Sequence, residues 1–393
     1  MKVTKIAVLG DATTNLLVKD LEKLMGDQLE VSIYESDYDA LDLELLNADS
    51  SLYNFKPDFV ILIFAHQKLK QQYFKDGAAL SDRFLTKIES YLGAIKASLN
   101  AKVIINNMIP PFDPVFGNFG LKIGHSFASQ VSKLNFQLEQ LSQTVASLHL
   151  LDLRGIQQQF AYKEVFDTRM YYMASLPFSL AFQKIVVQHL ATLILAFQGR
   201  FKKCLILDLD NTTWGGIIGD DGIEQIEIGN FGQGKAFSDL QRWAKALKDR
   251  GIILCVCSKN DEEIAKVPFR DHPEMILRLE DIAVFVANWE NKADNIRHIQ
   301  EVLNIGFDSM VFLDDNPFER GVVRSELPEV VVPELPADPS NYLDYLLPLN
   351  LFETVSFNAT DSSRTQKYQE ESKRLQMKQT FSSIDTYLES LDM

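Results

Sequence analysis

The chain has 393 residues, of which 46% are apolar and 10% aromatic, and its formal net charge is -15. This length allows two or three domains with sizeable cores, and the composition excludes an intrinsically disordered protein. The acidic balance argues against nucleic acid as a partner, because a nucleic-acid-binding surface needs Lys and Arg side chains to displace counterions from phosphates.

Short apolar segments alternate with helical patterns from residue 1 to residue 198. The strand candidates are Lys5 to Leu9, Val31 to Tyr34, Asp58 to Phe64, Lys102 to Ile105 and Leu148 to Leu153. Such alternation is typical of a parallel sheet covered by helices. We therefore expect an α/β domain over residues 1–198.

The first turn of this domain has the sequence Gly-Asp-Ala at residues 10–12. It resembles the opening block of the SGNH hydrolases, in which a nucleophilic serine follows Gly-Asp. Ala12 has no nucleophilic atom, and the segment around Asp167 lacks the histidine of that family's final catalytic block. The resemblance implies an SGNH/flavodoxin-like fold without an intact triad, with Asn106 or Asn107 at the position of the oxyanion asparagine. We expect a recognition or lid module.

Two features predict a cytoplasmic protein without a membrane segment. The apolar stretch from Phe178 to Phe197 is interrupted by polar residues, which is typical of a buried or docking helix rather than a membrane span. The three cysteines, Cys204, Cys255 and Cys257, have neither disulfide-framework nor zinc-site spacing. A reducing compartment fits this pattern best.

Three predicted strands in the second half of the chain end in polar residues. These ends carry Asp208 and Asp210, then Ser258, then the pair Asp314 and Asp315. The carboxyl ends of parallel strands meet at one edge of a sheet, so we expect these side chains to share a crevice. Carboxylates this close repel one another unless a cation compensates, and Mg²⁺, which prefers oxygen ligands, is the expected cofactor.

Other segments between these strands predict the covering elements. Phe237 to Lys248 and Asp294 to Leu303 have helical patterns, and Trp214 to Gly229 predicts a β-hairpin flap. Val330 to Pro339 is proline-rich and predicts an extended linker, which would lead to helices that include a polar one over residues 362–379.

A lysine, Lys292, lies between the second and third strand ends and completes a series of four motifs. The series resembles the motifs of the haloacid dehalogenase (HAD) superfamily. The strings that extend the motifs after Leu207, Val256 and Phe312 resemble its FkbH-like branch, a phosphatase of subfamily IIIC. The resemblance implies a Rossmannoid phosphatase domain without a large cap over residues 199–335, followed by a linker and C-terminal helices over residues 336–393.

The resemblance also implies the roles of the charged residues. Asp208 would attack phosphorus and form an aspartyl phosphate, and Asp210 would act as general acid and base. Asp208, Asp314, Asp315 and the main-chain carbonyl of Asp210 would ligate Mg²⁺. Lys292 would neutralise the charge that Asp208 shares with the transferring group.

The remaining candidates concern the substrate. Ser258 would donate a hydrogen bond to a phosphoryl oxygen, and Thr212, Lys259 and Asn260 would contribute to substrate binding. Arg320 follows the fourth motif at helical spacing; a grip on a second phosphate and a surface helix charge are both open alternatives.

Cys257 has two alternative interpretations. Buried cysteines at strand ends are usually small apolar packing groups. FkbH-like enzymes are associated with taking a glyceryl unit from 1,3-bisphosphoglycerate and passing it to an acyl carrier protein, and a thiol beside Ser258 suits acyl carriage. Adjacent strand residues point to opposite faces, so carriage requires the chain to turn at Cys257.

The resemblance leaves three hypotheses for function. The first is a Mg²⁺-dependent phosphatase or phosphotransferase that forms glyceryl-S-acyl carrier protein. The second is a stand-alone phosphatase of a small phosphorylated metabolite. The third is a non-catalytic module that docks a carrier protein.

Overall fold

The computed structural model describes residues 3–110 and 112–357. The chain divides into two compact units, Met1–Ile194 and Leu195–Met393. Each unit contains one all-parallel sheet, which confirms the predicted α/β class with two parallel-sheet domains. The polar helix predicted over residues 362–379 lies outside the described residues.

The first unit is built on five parallel strands in the order β2-β1-β3-β4-β5. The strands are β1 Thr4–Gly10, β2 Val31–Glu35, β3 Phe59–Ile63, β4 Lys102–Asn106 and β5 Leu148–Leu151. The helices are α1 Asn15–Gly26, α2 Leu41–Leu45, α3 Ser51–Phe55, α4 His66–Asp76, α5 Leu80–Ser98, α6 Phe127–Thr144, α7 Leu153–Gln157, α8 Tyr162–Val165, α9 Thr168–Ala174 and α10 Leu180–Phe197. All five predicted strands are present, because their apolar runs are buried on both sheet faces.

The second unit has four parallel strands in the order β8-β7-β6-β9. The strands are β6 Cys204–Leu207, β7 Ile253–Ser258, β8 Ile282–Ala287 and β9 Met310–Leu313. The helices are α11 Ile218–Asp221, α12 Gly234–Asp249, α13 Glu262–Asp271, α14 Lys292–Leu303, α15 Pro317–Glu326 and α16 Tyr342–Leu346. The strand order reverses between β6 and β9, so the carboxyl ends of these two strands border a crevice of the kind that binds ligands in open α/β sheets.

Alternate residues of β6 supply the two cores of this unit. Leu205 and Leu207 pack on one face of the sheet with helix α12, whereas Cys204 and Ile206 pack on the other face with α14. The period-two alternation of a strand accounts for this division. The strand is thereby fixed in register, and the residues that follow it are fixed at the sheet edge.

The predicted β-hairpin between Trp214 and Gly229 is wrong. This segment contains the short helix α11 and only one antiparallel bridge, between Gly215 and Glu227. Its alternating isoleucines do not form a pleat, because Ile218 and Ile226 both anchor the loop in the core. A buried loop thus replaces the flap.

The segment predicted as a linker from Val330 to Pro339 is extended but not free. Val331 pairs in parallel with Val311, and the main-chain N–H of Phe312 donates to the carbonyl of Val331 at 2.9 Å. Leu335 is buried in the core. The segment therefore packs along the edge of the sheet next to β9.

One helix among the described residues, Leu180–Phe197, is long and apolar enough to span a membrane by length and composition. Of this helix, 56% is buried within the protein. A core helix of a soluble protein passes the same test, so this is weak evidence for a membrane segment.

Asp281, just before β8, joins that strand to helix α12. The carboxylate is 1% exposed and accepts from Lys245 Nζ at 2.7 Å, Lys248 Nζ at 3.1 Å and the Arg278 main-chain N–H at 2.9 Å. Burial by itself raises the pKa of Asp281, but these donors outweigh it and hold the pKa below its usual value.

We expect Asp281→Asn to destabilise the second unit by about 1–3 kcal/mol at pH 7, because it weakens hydrogen bonds from charged donors. Since the folded-state pKa is lowered, the stabilisation is complete above the unfolded pKa and is lost as pH falls through the folded value. The difference from wild type should therefore shrink below about pH 4. Urea unfolding followed by tryptophan fluorescence measures this unit selectively, because all three tryptophans lie in it. Asp249→Asn, an exposed neighbour that also contacts Lys248, is the control; an equal loss in both variants would contradict the prediction.

Candidate active site

Asp208 and Asp314 lie side by side at the carboxyl edge of the second sheet. They directly follow β6 and β9, whose register pairs Leu207 with Leu313. The main-chain N–H of Asp208 donates to the carbonyl of Leu313 at 2.9 Å, which continues the ladder by one residue. The two carboxylates are 5% and 0% exposed. Sheet register alone thus places two buried acids at the crevice.

Lys292 supplies the positive charge between these acids. It is the first residue of α14, whose N-cap Asn291 accepts from the main-chain N–H of Ala293. Lys292 Nζ lies 2.6 Å from Asp314 Oδ2 and 2.9 Å from Asp208 Oδ1. Burial lowers the pKa of Lys292, but the charges of Asp208 and Asp314 outweigh it and raise the pKa above its usual value. The lysine is therefore held protonated.

Asp315 joins Asp208 and Asp314 in a group suited to a cation. One carboxylate oxygen from each of the three lies within 4.8 Å of the others. The Oδ1 atom of Asp208 is buried and, apart from its ion-pair contact with Lys292, receives no hydrogen bond. Burial and the charge of Asp208 raise the pKa of Asp314 to about 6 and also raise that of Asp315.

These residues fit a divalent cation. Three carboxylates facing one lysine leave two negative charges, and the donor set consists of oxygen alone, as Mg²⁺ prefers. The Asp210 carboxylate is not part of this group, and ligation by its main-chain carbonyl stays a prediction.

The Asp210 carboxylate is held by three donors. Oδ1 accepts from Trp214 Nε1 at 2.9 Å and from the Ile218 main-chain N–H at 3.1 Å, and Oδ2 accepts from Asn260 Nδ2 at 2.8 Å. Burial, opposed by these donors and assisted by the charge of Asp208, raises the pKa of Asp210. A fixed carboxyl group with a raised pKa can exchange a proton at the site.

Two residues expected at the substrate instead support the metal-facing loop. The guanidinium of Arg320 is buried and donates to the carbonyls of Asp314 at 2.8 Å and Asp315 at 2.6 Å, and it also pairs with Glu334. Thr212 is fully buried, and its Oγ1 accepts from the Asp315 main-chain N–H at 3.0 Å. Because these contacts use their polar atoms, Arg320 and Thr212 position the aspartates and do not reach a substrate phosphate.

Asn260 and Lys259 also differ from the expected pattern. Asn260 is 4% exposed and donates to Asp210, so it orients an acid rather than a substrate. Lys259 Nζ lies 2.7 Å from Glu319 Oε1, and its side chain is 36% exposed. Of the expected substrate-binding residues, Lys259 alone therefore keeps a partly exposed polar group.

Cys257 and Ser258 end β7. Ser258 is 1% exposed. Cys257 is fully buried among apolar side chains, and its Sγ lies 3.7 Å from the main-chain oxygen of Lys292. Burial raises the pKa of Cys257 well above its usual value. The chain does not turn at this residue, so the geometry favours packing over acyl carriage.

The first unit has a small crevice at its own sheet edge. Asp11 follows β1, its Oδ1 accepts from the Ala65 main-chain N–H at 2.8 Å, and burial raises its pKa to about 7. It borders a cavity of about 300 Å³. The amide groups of Asn106 and Asn107 are engaged with Phe64 and Asp152, so neither is a free oxyanion donor.

The sequence did not indicate the roles of Trp214 and Tyr342. Trp214 is fully buried and holds Asp210 through its indole N–H. The Tyr342 hydroxyl donates to the carbonyl of Asn211 at 2.9 Å and so fixes the loop after β6. The four-residue spacing from Asp210 to Trp214 is the only sequence signal for the first contact, and the second joins residues 131 apart.

Comparisons with known proteins agree with this site. The model of the FkbH N-terminal domain matches residues 5–195. The N-terminal part of the protein BF1531 from Bacteroides fragilis, which contains a phosphatase domain and was crystallised in complex with Mg, is 44% identical over 91% of this chain and 96% of that chain, with a TM-score of 0.87. The chain belongs to the FkbH-like family.

Other solved structures are much less similar to this FkbH-like protein. The lipase Lip_vut3 from a goat rumen metagenome is 15% identical over 48% of this chain and 96% of that chain, with a TM-score of 0.36. A catalytic mutant of the acetylxylan esterase Axe2 from Geobacillus stearothermophilus is 13% identical over 49% and 93%, with a TM-score of 0.34. These similarities are too low to assign an activity. No curated protein matches the chain.

We expect Arg320→Lys to weaken Mg²⁺ binding by about 10–100-fold, because a lysine cannot donate to two carbonyls and a carboxylate as a planar guanidinium does. Isothermal titration with MgCl₂ measures the Kd. Arg324→Lys is the matched control, since Arg324 lies on the same helix and pairs with the same Glu334 but is 41% exposed. Equal Kd values for the two variants would contradict the positioning role of Arg320.

Proposed function

We propose that this FkbH-like protein is a Mg²⁺-dependent phosphatase or phosphotransferase that acts through an aspartyl phosphate on Asp208. The observation that carries the proposal is the buried Asp208 Oδ1, which lies 2.9 Å from Lys292 Nζ and within reach of Asp314 and Asp315. The Mg complex of the related Bacteroides fragilis phosphatase domain supports it.

In the first step, a carboxylate oxygen of Asp208 attacks the phosphorus of the substrate in line with the leaving oxygen. The bond from phosphorus to the leaving oxygen breaks, and Asp210 donates its proton to that oxygen. Three hydrogen bonds hold the Asp210 carboxyl in one orientation, so the proton is delivered from a fixed position. The products are the aspartyl phosphate and the protonated leaving group.

In the second step, Asp210 is ionised and removes a proton from water or from another acceptor. The resulting oxygen attacks phosphorus, and the bond to Asp208 breaks. Lys292 stabilises the negative charge on Asp208 as it is released, since its ammonium group remains beside that carboxylate. Ser258 supplies a hydrogen bond to a phosphoryl oxygen.

Asp208, Asp314 and Asp315 would hold Mg²⁺, which would supply the positive charge that lets a carboxylate approach an anionic phosphate. Arg320 and Thr212 keep the Asp314-Asp315 turn in place for this purpose. Their contribution is to orient ligands rather than to touch the substrate.

The substrate is a phosphorylated small molecule, and we place the reaction in the cytoplasm. Formation of glyceryl-S-acyl carrier protein from 1,3-bisphosphoglycerate is the finer hypothesis that the family suggests. Carriage of the glyceryl group on Cys257 conflicts with the burial of that thiol, since only an accessible thiolate is a nucleophile. Hydrolysis of a phosphorylated metabolite needs no such group.

Removing either acid should abolish turnover. We expect Asp208→Asn to reduce Mg²⁺-dependent phosphate release from p-nitrophenyl phosphate to background, and Asp210→Asn to reduce kcat by about 10²–10⁴-fold, the usual contribution of a general acid. Phosphate release with and without EDTA is the measurement. Asp294→Asn, which alters an exposed aspartate in the first turn of α14, should behave as wild type. If wild type releases no phosphate in the presence of Mg²⁺, the protein is better explained as a non-catalytic docking module.

Intact-protein mass spectrometry separates the two enzyme hypotheses. After incubation with Mg²⁺ and freshly prepared 1,3-bisphosphoglycerate, we expect no glyceryl adduct on wild-type protein, because Cys257 is fully buried. Phosphate release should persist in Cys257→Ala. A glyceryl adduct that is present in wild type and lost in Cys257→Ala would instead establish acyl transfer through this thiol. Adding an acyl carrier protein tests direct transfer without an enzyme-bound acyl group.

A further inference from the structure

A cavity of about 670 Å³ lies beside the aspartates of the second unit. The loop after β6, the start of α12 and residues 336–339 form its walls. Asp315 lines this cavity and also belongs to the group of candidate metal ligands. Its volume lies in the range of small-molecule sites. The cavity therefore adjoins the position of the transferring phosphoryl group and has room for the rest of a substrate.

The charged groups of the cavity are all acidic. Asp315, Glu227 and Asp338 supply carboxylates, and Asn211 and Gln233 supply amides. No Lys, Arg or His lines the cavity among residues 3–110 and 112–357. A phosphate group in this space would face carboxylates without a compensating cation, which is unfavourable.

The cationic candidate at the site, Lys259, does not change this balance. Its ammonium group is paired with Glu319 at 2.7 Å, and it does not line the cavity. Arg320 is also committed, to the carbonyls of Asp314 and Asp315. Hence the cations of the fourth motif and of β7 leave the cavity acidic.

The remaining lining supplies an apolar wall and hydrogen-bond acceptors. Phe237 and Tyr342 are buried and pack edge to face, with ring centroids 6.3 Å apart. Gly215 permits this close packing, because a Cβ there would lie 2.8 Å from the Phe237 ring and 2.9 Å from Glu227 Cβ. The Glu227 side chain is exposed. Carboxylates beside an aromatic wall suit a compact molecule that carries hydroxyl or ammonium groups.

We propose that this cavity binds the leaving group of the substrate and selects monophosphates whose leaving group carries hydroxyl or ammonium groups, as sugar and amino-sugar phosphates do, against substrates with a second phosphate. The inference rests on the proposed phosphatase function, because the leaving group is defined by attack of Asp208 on phosphorus. Glu227 is the residue that discriminates by charge.

The activity test compares three probes with p-nitrophenyl phosphate as reference. We expect wild type to show a kcat/KM for glucosamine 6-phosphate and glucose 6-phosphate at least about tenfold above that for fructose 1,6-bisphosphate, the effect of one uncompensated charge pair near a surface. Glu227→Lys should lower that ratio by about tenfold or more, and Glu227→Asp should largely restore it. Glu224→Lys, an equal charge change on the same loop outside the cavity lining, should retain the wild-type ratio. Equal shifts in Glu227→Lys and Glu224→Lys, or no preference in wild type, would overturn the proposal.

Binding to Asp208→Asn gives a readout that does not depend on turnover. Calorimetry with the same compounds should give a lower Kd for glucosamine 6-phosphate than for fructose 1,6-bisphosphate, and adding Glu227→Lys should reverse the order. If p-nitrophenyl phosphate is hydrolysed with Mg²⁺ but the sugar phosphates show no such preference, the cavity proposal alone fails. If no compound is hydrolysed, the phosphatase proposal fails, and the order of the Kd values still decides whether the cavity excludes a second phosphate.

Discussion

The repulsion between Asp208 and Asp314 is the constraint on which the second unit depends. Parallel pairing of β6 with β9 forces the two buried carboxylates to neighbouring positions, and an uncompensated pair of this kind would destabilise the fold. Lys292 relieves part of this cost by lying between them. A surplus of negative charge remains once Asp315 is added, so the same arrangement that taxes the fold creates affinity for a divalent cation.

The residues around this charged centre act mainly by holding main-chain and carboxylate groups in place. Arg320 and Thr212 fix the Asp314-Asp315 turn, and Trp214 fixes Asp210. Buried polar groups with satisfied hydrogen bonds have few alternative arrangements. The site is therefore preorganised, which is the property that catalysis by positioning and electrostatics requires.

Sequence reasoning placed the strands and their terminal aspartates because continuous apolar runs and strand-end polar residues depend on local pattern alone. It missed β8, since a six-residue apolar run without a polar end cannot be distinguished from part of a buried helix. It assigned Arg320 and Asn260 to the substrate, because the partner of a long polar side chain depends on loop geometry rather than spacing. The hairpin predicted after Trp214 failed for the same reason: alternation indicated a pleat, whereas burial of Ile218 and Ile226 determined the loop.

The distribution of the thiols has a practical consequence. Cys204, Cys255 and Cys257 are all fully buried in the second sheet, and residues 1–194 contain no cysteine. A thiol-specific reagent can therefore modify the protein only when the strands of the second unit separate from their covering helices. The rate of labelling is thus an intrinsic clock for the opening of the phosphatase unit, and the first unit contributes nothing to it. Because Cys257 borders Lys292, a ligand that stabilises the charged centre would slow this clock without any engineered probe.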